Sequence, residues 1–191
     1  MKVEDSGMPE ECYWNSLFNI ERILDWLAIP KGSIIVEVGC GYGTFTAPIA
    51  RHHNGEIVAF DIEPSMIEIT KRNVSKSGAS NVTCILRDIL EEGTDLKPES
   101  VDVVLLFNIL HFSERRKLLS EVARILKNGG FVAIIHWRKD IPTPRGPVIE
   151  LRPDMDQILN ASEGLALHIR GTEKVLDPYH WGIQLIKGAA S

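Results

Sequence analysis

Val36-Glu37-Val38-Gly39-Cys40-Gly41-Tyr42-Gly43-Thr44 is the stretch that decides the fold. A β-branched run from Ile34 to Val38 closes in three alternating glycines, and a helical pattern follows from Thr44 to about His52. Glycines between a strand and a helix remove Cβ atoms, so the backbone can turn sharply and approach a ligand at the carboxyl edge of a sheet. A dinucleotide loop would need Gly-x-Gly-x-x-Gly, but the third slot holds Thr44 counting from Gly39 and Thr46 counting from Gly41. Glu37, two residues before the first glycine, would sit awkwardly beside a pyrophosphate. It suits a cationic group.

The same unit repeats outward from this loop. Ile57 to Phe60 reads as a second strand, with Pro64 near the first turn of a helix that runs to about Lys76. Val82 to Leu86 is a third strand, and Val101 to Phe107 is a fourth, apolar enough to be covered on both faces. Ser113 is positioned to cap the next helix, whose stripe is Leu118, Val122, Ile125 and Leu126. Asn128-Gly129-Gly130 ends that helix before a fifth strand from Phe131 to Ile135. Upstream, Leu17, Ile20, Leu24 and Leu27 define one amphipathic helix over 15–28. Downstream, a proline-rich loop leads to a helix around 154–161, then to strands at 165–169 and 181–186 that form an antiparallel pair. The prediction is a doubly wound α/β fold: a mostly parallel seven-stranded sheet with helices on both faces and the last strand antiparallel. One domain over 1–191 is expected, with a helical lid segment at 1–31, a core at 32–137, and a substrate-side loop, helix and strand pair at 138–191.

The chain has 191 residues, 44% hydrophobic and 25% charged, which is ordinary for a globular domain and excludes disordered or collagen-like classes. Lys and Arg total 21 against 26 Asp and Glu, a net charge of -5, so no basic field favours nucleic acid. The start, Met1-Lys2-Val3-Glu4-Asp5, lacks a signal-peptide core, and no apolar run is long enough to span a bilayer; a cytoplasmic protein is expected. Cys12, Cys40 and Cys84 fit neither a disulfide framework nor a zinc site.

The glycine loop with its preceding acid resembles the first motif of the class I methyltransferases that use S-adenosylmethionine, and Glu37, Gly39, Gly41 and Gly43 match it fully. The resemblance implies a Rossmann-like methyltransferase fold in which this loop holds the cofactor's methionine part, with Glu37 assisting at the loop or near the amino group. Phe60-Asp61-Ile62-Glu63-Pro64 looks like the family's second motif. It implies Asp61 as the ribose ligand, unless that acid merely caps the following helix, and puts Ile62 against the adenine. Arg87-Asp88-Ile89 resembles the third motif and assigns Asp88 to the adenine amino group, beside Ile89. Asn108, in Phe107-Asn108-Ile109-Leu110-His111, falls where the family lines the methionine end, and Asn128-Gly129-Gly130 resembles its Pro-Gly-Gly turn. The implied cofactor is S-adenosylmethionine and the implied activity methyl transfer. A nicotinamide-dependent oxidoreductase and a catalytically silent cofactor-binding module are the alternatives.

Methyl transfer from a sulfonium is an in-line displacement with a neutral leaving group, so no metal is required. His111, just past the fourth strand, is the candidate general base, against a bland role in the cofactor wall. Tyr13 and Trp14 read as a lid over the cofactor or as core packing. The segment His136-Trp137-Arg138-Lys139, with Arg145, places cations on an expected loop after the fifth strand; Tyr13, His136 and Arg138 are the candidate acceptor contacts, the loop cations against a reading as solvated surface charge. The Pro-Pro-aromatic and Pro-Cys motifs of DNA methyltransferases are absent. A small-molecule acceptor is therefore expected, DNA is disfavoured, and RNA or protein acceptors stay open. A mostly apolar acceptor pocket would favour a lipid-like or quinone-like acceptor, and a cationic pocket an acid.

Overall fold

The computed structural model describes residues 8–188. Its single sheet has seven strands: β1 (Ile35–Val38), β2 (Ile57–Asp61), β3 (Val82–Leu86), β4 (Val101–Phe107), β5 (Leu126–Trp137), β6 (Leu167–Leu176) and β7 (His180–Lys187). They lie in the order β3-β2-β1-β4-β5-β7-β6. The first five run parallel, and β7 is antiparallel to both β5 and β6. Connections wind outward in opposite directions from β1 and β4, which leaves a crevice at the carboxyl ends of the central strands.

Alternation along the strands builds two cores. Val36, Val104, Leu106, Val132 and Ile134 face one side, against Leu118, Leu119 and Val122 of α6 (Arg115–Ile125) and Ile158 of α7 (Met155–Ser162). Ile35, Val103, Leu105, Ala133 and Ile135 face the other, against Ile23 and Leu27 of α2 (Ile20–Leu27) and Ile49 of α3 (Thr46–His52). Each Val, Leu or Ile side chain among them contributes roughly 1.5–3 kcal/mol when fully buried. The remaining helices are α1 (Glu11–Ser16), α4 (Pro64–Ser77) and α5 (Ile89–Glu92), with a short 3₁₀ turn at Ile149–Leu151.

Four local expectations are corrected. The single leading helix is two, because Asn19 caps α2 by accepting from Arg22 N (3.1 Å) and so ends the continuity. Ser113 does not cap α6; Glu114 occupies that position without a side-chain bond. Helix α6 stops at Ile125, before Asn128-Gly129-Gly130, and β5 begins at Leu126 and continues through those residues. His136 and Trp137 belong to β5 and are buried, not on a loop. Among the described residues no helix is long and apolar enough to cross a membrane.

Candidate functional site

The ends of β1, β2 and β4 and the segments after β3 and β5 surround one cleft of about 590 Å³. Glu37 enters it from β1, where every residue is buried. Its carboxylate accepts from the Thr46 hydroxyl of α3. Burial drives its pKa up to about 8; the Thr46 hydrogen bond works against this and the nearby Asp61 carboxylate adds to it. The turn that follows is anchored by Phe60, whose carbonyl accepts from both Gly39 N (2.8 Å) and Cys40 N (3.0 Å). Gly39 has φ +76°, and a Cβ there would meet Ile109 Cγ2 at 2.8 Å, so a side chain is excluded by both conformation and space.

Asp61 closes β2 at 8% exposure. One carboxylate oxygen accepts from Gly41 N (2.8 Å) and the other from Glu63 N (2.9 Å), so this acid also clamps the glycine loop to the second motif. Burial raises its pKa against those hydrogen bonds. Ile62 beside it is exposed on the cleft wall. Asp88 caps α5 through Leu90 N (3.0 Å) and Glu91 N (3.3 Å), and Ile89 is buried at the cleft floor.

Asn108 leaves β4 in the left-handed region, φ +59°, a conformation Asn tolerates better than most residues. Its amide nitrogen lies 3.3 Å from His180 Nε2, while its buried Oδ1 meets no protein partner within hydrogen-bond distance. His111 lines the cleft three residues later, its ring 5.8 Å from that of His136.

The cleft does not gather every expected acceptor contact. His136 is fully buried in β5 behind His111, with neither ring nitrogen hydrogen-bonded, and it is not a cleft-lining residue. Arg138 is turned to Asp140 in a two-pronged ion pair (2.6 and 3.0 Å) and stands outside the lining. Tyr13 is exposed on α1 outside the cleft, whereas its neighbour Trp14 lines it. Sequence reasoning gave no site role to Phe107, Trp137, Gly146 or Leu151, which form the aromatic and apolar end of the cleft. Gly146 (φ +106°) lies on the Trp137 indole, where a Cβ would be 2.8–2.9 Å from ring carbons. No local pattern signals that contact, because the residues meet only when the loop folds back over β5.

These groups fit a ligand with a cationic, polar end: a buried carboxyl at Glu37, an unmet acceptor at Asn108, and a glycine cradle that a side chain would fill. A family model described as a methyltransferase domain matches residues 35–130, half of the chain. The chain belongs to the class I S-adenosylmethionine-dependent methyltransferases. The chain is 31% identical over 126 residues to an uncharacterized methyltransferase-like protein of Schizosaccharomyces pombe, covering 64% of this chain and 46% of that one. It is 24% identical over 139 residues to a lysine methyltransferase of Homo sapiens, covering 66% and 59%. It thus spans about half the length of the curated relatives it matches. Among solved structures, a SAM-dependent methyltransferase from Aquifex aeolicus superposes with a TM-score of 0.79 at 23% identity, covering 93% of each chain. S-adenosylmethionine is the cofactor.

Proposed function

We propose that this methyltransferase transfers the methyl group of S-adenosylmethionine to a small-molecule acceptor held at the aromatic end of the cleft. What supports this is the continuity of one cleft, which runs from Glu37 and the glycine loop to Trp14 and Trp137 under the loop that carries Gly146. When bound, the cofactor supplies an electrophilic methyl on a sulfonium that leaves as a neutral thioether. Glu37, Gly39, Gly41 and Asn108 would hold its methionine end, Asp61 its ribose, and Ile62, Asp88 and Ile89 its adenine, whereas Gly43, expected to join them, lies outside the lining and packs on Thr70 of α4. The aromatic walls exclude water and fix the acceptor in line with the methyl. His111, at the junction of the two ends, takes the acceptor's proton.

Calorimetry tests the reading. Micromolar binding of S-adenosylmethionine and its demethylated product, with none for nicotinamide cofactors, is the expected result. Nicotinamide binding without S-adenosylmethionine binding overturns it.

A further inference from the structure

His180 opens β7 and pairs across the ladder with Trp137 at the end of β5. Its ring is fully buried, stacked 4.4 Å from the Phe18 ring and 4.2 Å from the Trp137 indole. A phenylalanine would fill that aromatic slot, and it would not leave Nδ1 buried without a hydrogen-bond partner among the described residues, as the histidine does. What histidine adds is Nε2, which lies 3.3 Å from the side-chain nitrogen of Asn108. An amide nitrogen only donates, so Nε2 accepts and the proton of the neutral ring sits on Nδ1. Burial first, and Arg152 after it, hold the ring neutral with a pKa of about 3, so Nε2 stays an acceptor at neutral pH.

Asn108 lines the cleft just past β4, and its backbone is fixed by φ +59° and by an N–H bonded to the Ile135 carbonyl (2.8 Å). The backbone does not set which way the amide turns about its side-chain bonds. The His180 contact does, because it takes the nitrogen and leaves Oδ1, a buried acceptor with no partner among the described residues. A buried acceptor left unmet is costly, and a donor on a bound ligand removes that cost.

Resting on the methyl-transfer reading above, we propose that His180 is a positioning residue for the cofactor: it orients the Asn108 amide so that Oδ1 accepts from the ammonium of the methionine end. His180 does not itself line the cleft, so it acts through Asn108. Its stacking on Phe18 and Trp137 is a packing role that an aromatic replacement would keep, whereas the hydrogen bond to Asn108 is one that a hydrocarbon ring would lose.

Calorimetry with two probes tests this: S-adenosylhomocysteine, and 5′-methylthioadenosine, which shares the nucleoside but lacks the ammonium and carboxylate. His180→Phe should bind S-adenosylhomocysteine about three- to tenfold more weakly, the worth of one hydrogen bond, and methylthioadenosine as the wild type does. Asn108→Gly removes the amide while tolerating the positive φ, and adding His180→Phe to it should cost no further affinity. The proposal is overturned if folded His180→Phe binds S-adenosylhomocysteine as tightly as the wild type, if both probes lose equally, or if the two substitutions add. Should His180→Phe not fold, nitrogen NMR of the wild type decides: the His180 proton is expected on Nδ1, and a proton on Nε2 overturns the proposal. Wild-type protein that fails to bind S-adenosylhomocysteine would instead overturn the methyl-transfer reading and this inference with it.

Discussion

Asp61 has two tasks that a single substitution can separate. Its carboxylate ties Gly41 N and Glu63 N to the end of β2 before any ligand arrives, and it is the proposed ribose acceptor. Asp61→Ala should weaken S-adenosylmethionine binding by roughly 1.5–3 kcal/mol, the scale of charge-assisted hydrogen bonds. Calorimetry on the variant, with circular dichroism to check folding, measures it; unchanged affinity would leave Asp61 as a backbone clamp alone. Glu37 offers a second test. A carboxyl raised to about 8 on folding holds a proton that the unfolded chain gives up above about 4.5. The folded state then binds more protons across that window, so stability declines as pH rises from 4.5 to 8. Glu37→Gln should flatten the decline, by on the order of a few kcal/mol at most between its two ends, as read by denaturant melts at pH values across the window.

At the scale of elements, the glycine loop joins β1 to α3 under two different constraints. Gly39 is closed in by Ile109 at 2.8 Å, whereas a Cβ on Gly41 would meet only Met8 Cε at 3.4 Å. Gly39→Val should therefore lower thermal stability as well as cofactor affinity. Gly41→Val should fold with a smaller loss, about 1–2 kcal/mol from its positive φ, yet fail to bind S-adenosylmethionine. Melting curves and calorimetry on both variants check the contrast, which disappears if the two lose stability equally. Strand β5 carries a related tension at His136, whose ring is buried with neither nitrogen hydrogen-bonded. A buried polar group without partners is costly, so His136→Phe should leave stability unchanged or raise it in chemical denaturation at neutral pH.

Across the whole molecule these buried groups oppose one another with pH. His136 is held well below 6.5 and His180 at about 3, chiefly by burial. Below 6.5 the unfolded chain binds protons that the folded rings refuse, so their contribution to stability is present above 6.5 and lost as pH falls toward 3. Glu37 acts in the reverse sense between 4.5 and 8. Stability of the wild type should therefore peak near pH 6.5. The peak should broaden to the alkaline side in Glu37→Gln and to the acid side in His136→Phe, measured as the midpoint of urea unfolding against pH. A peak that stays in place in both variants would show that other groups set it.

The repeating strands and helices, the glycine loop and the acids of the first three motifs were legible in the sequence, because hydrophobic period, glycine spacing and capping chemistry are local properties of the chain. The sequence alone also limited the ligand, since the missing third glycine and the early Glu37 argue against a pyrophosphate. Only the tertiary structure decided the rest. The place of β7 between β5 and β6 depends on pairings across tens of residues, such as Trp137 with His180. That pairing buried His136 and extended β5 beyond Ile135, which a local reading ended there. The aromatic end of the cleft is built from α1, β4, β5 and a returning loop, and that loop is tied to β5 by Arg152, whose carbonyl partners lie up to fourteen residues upstream. Burial, and with it the electrostatics of a site, depends on which surfaces exclude water together, and no stretch of chain encodes that by itself.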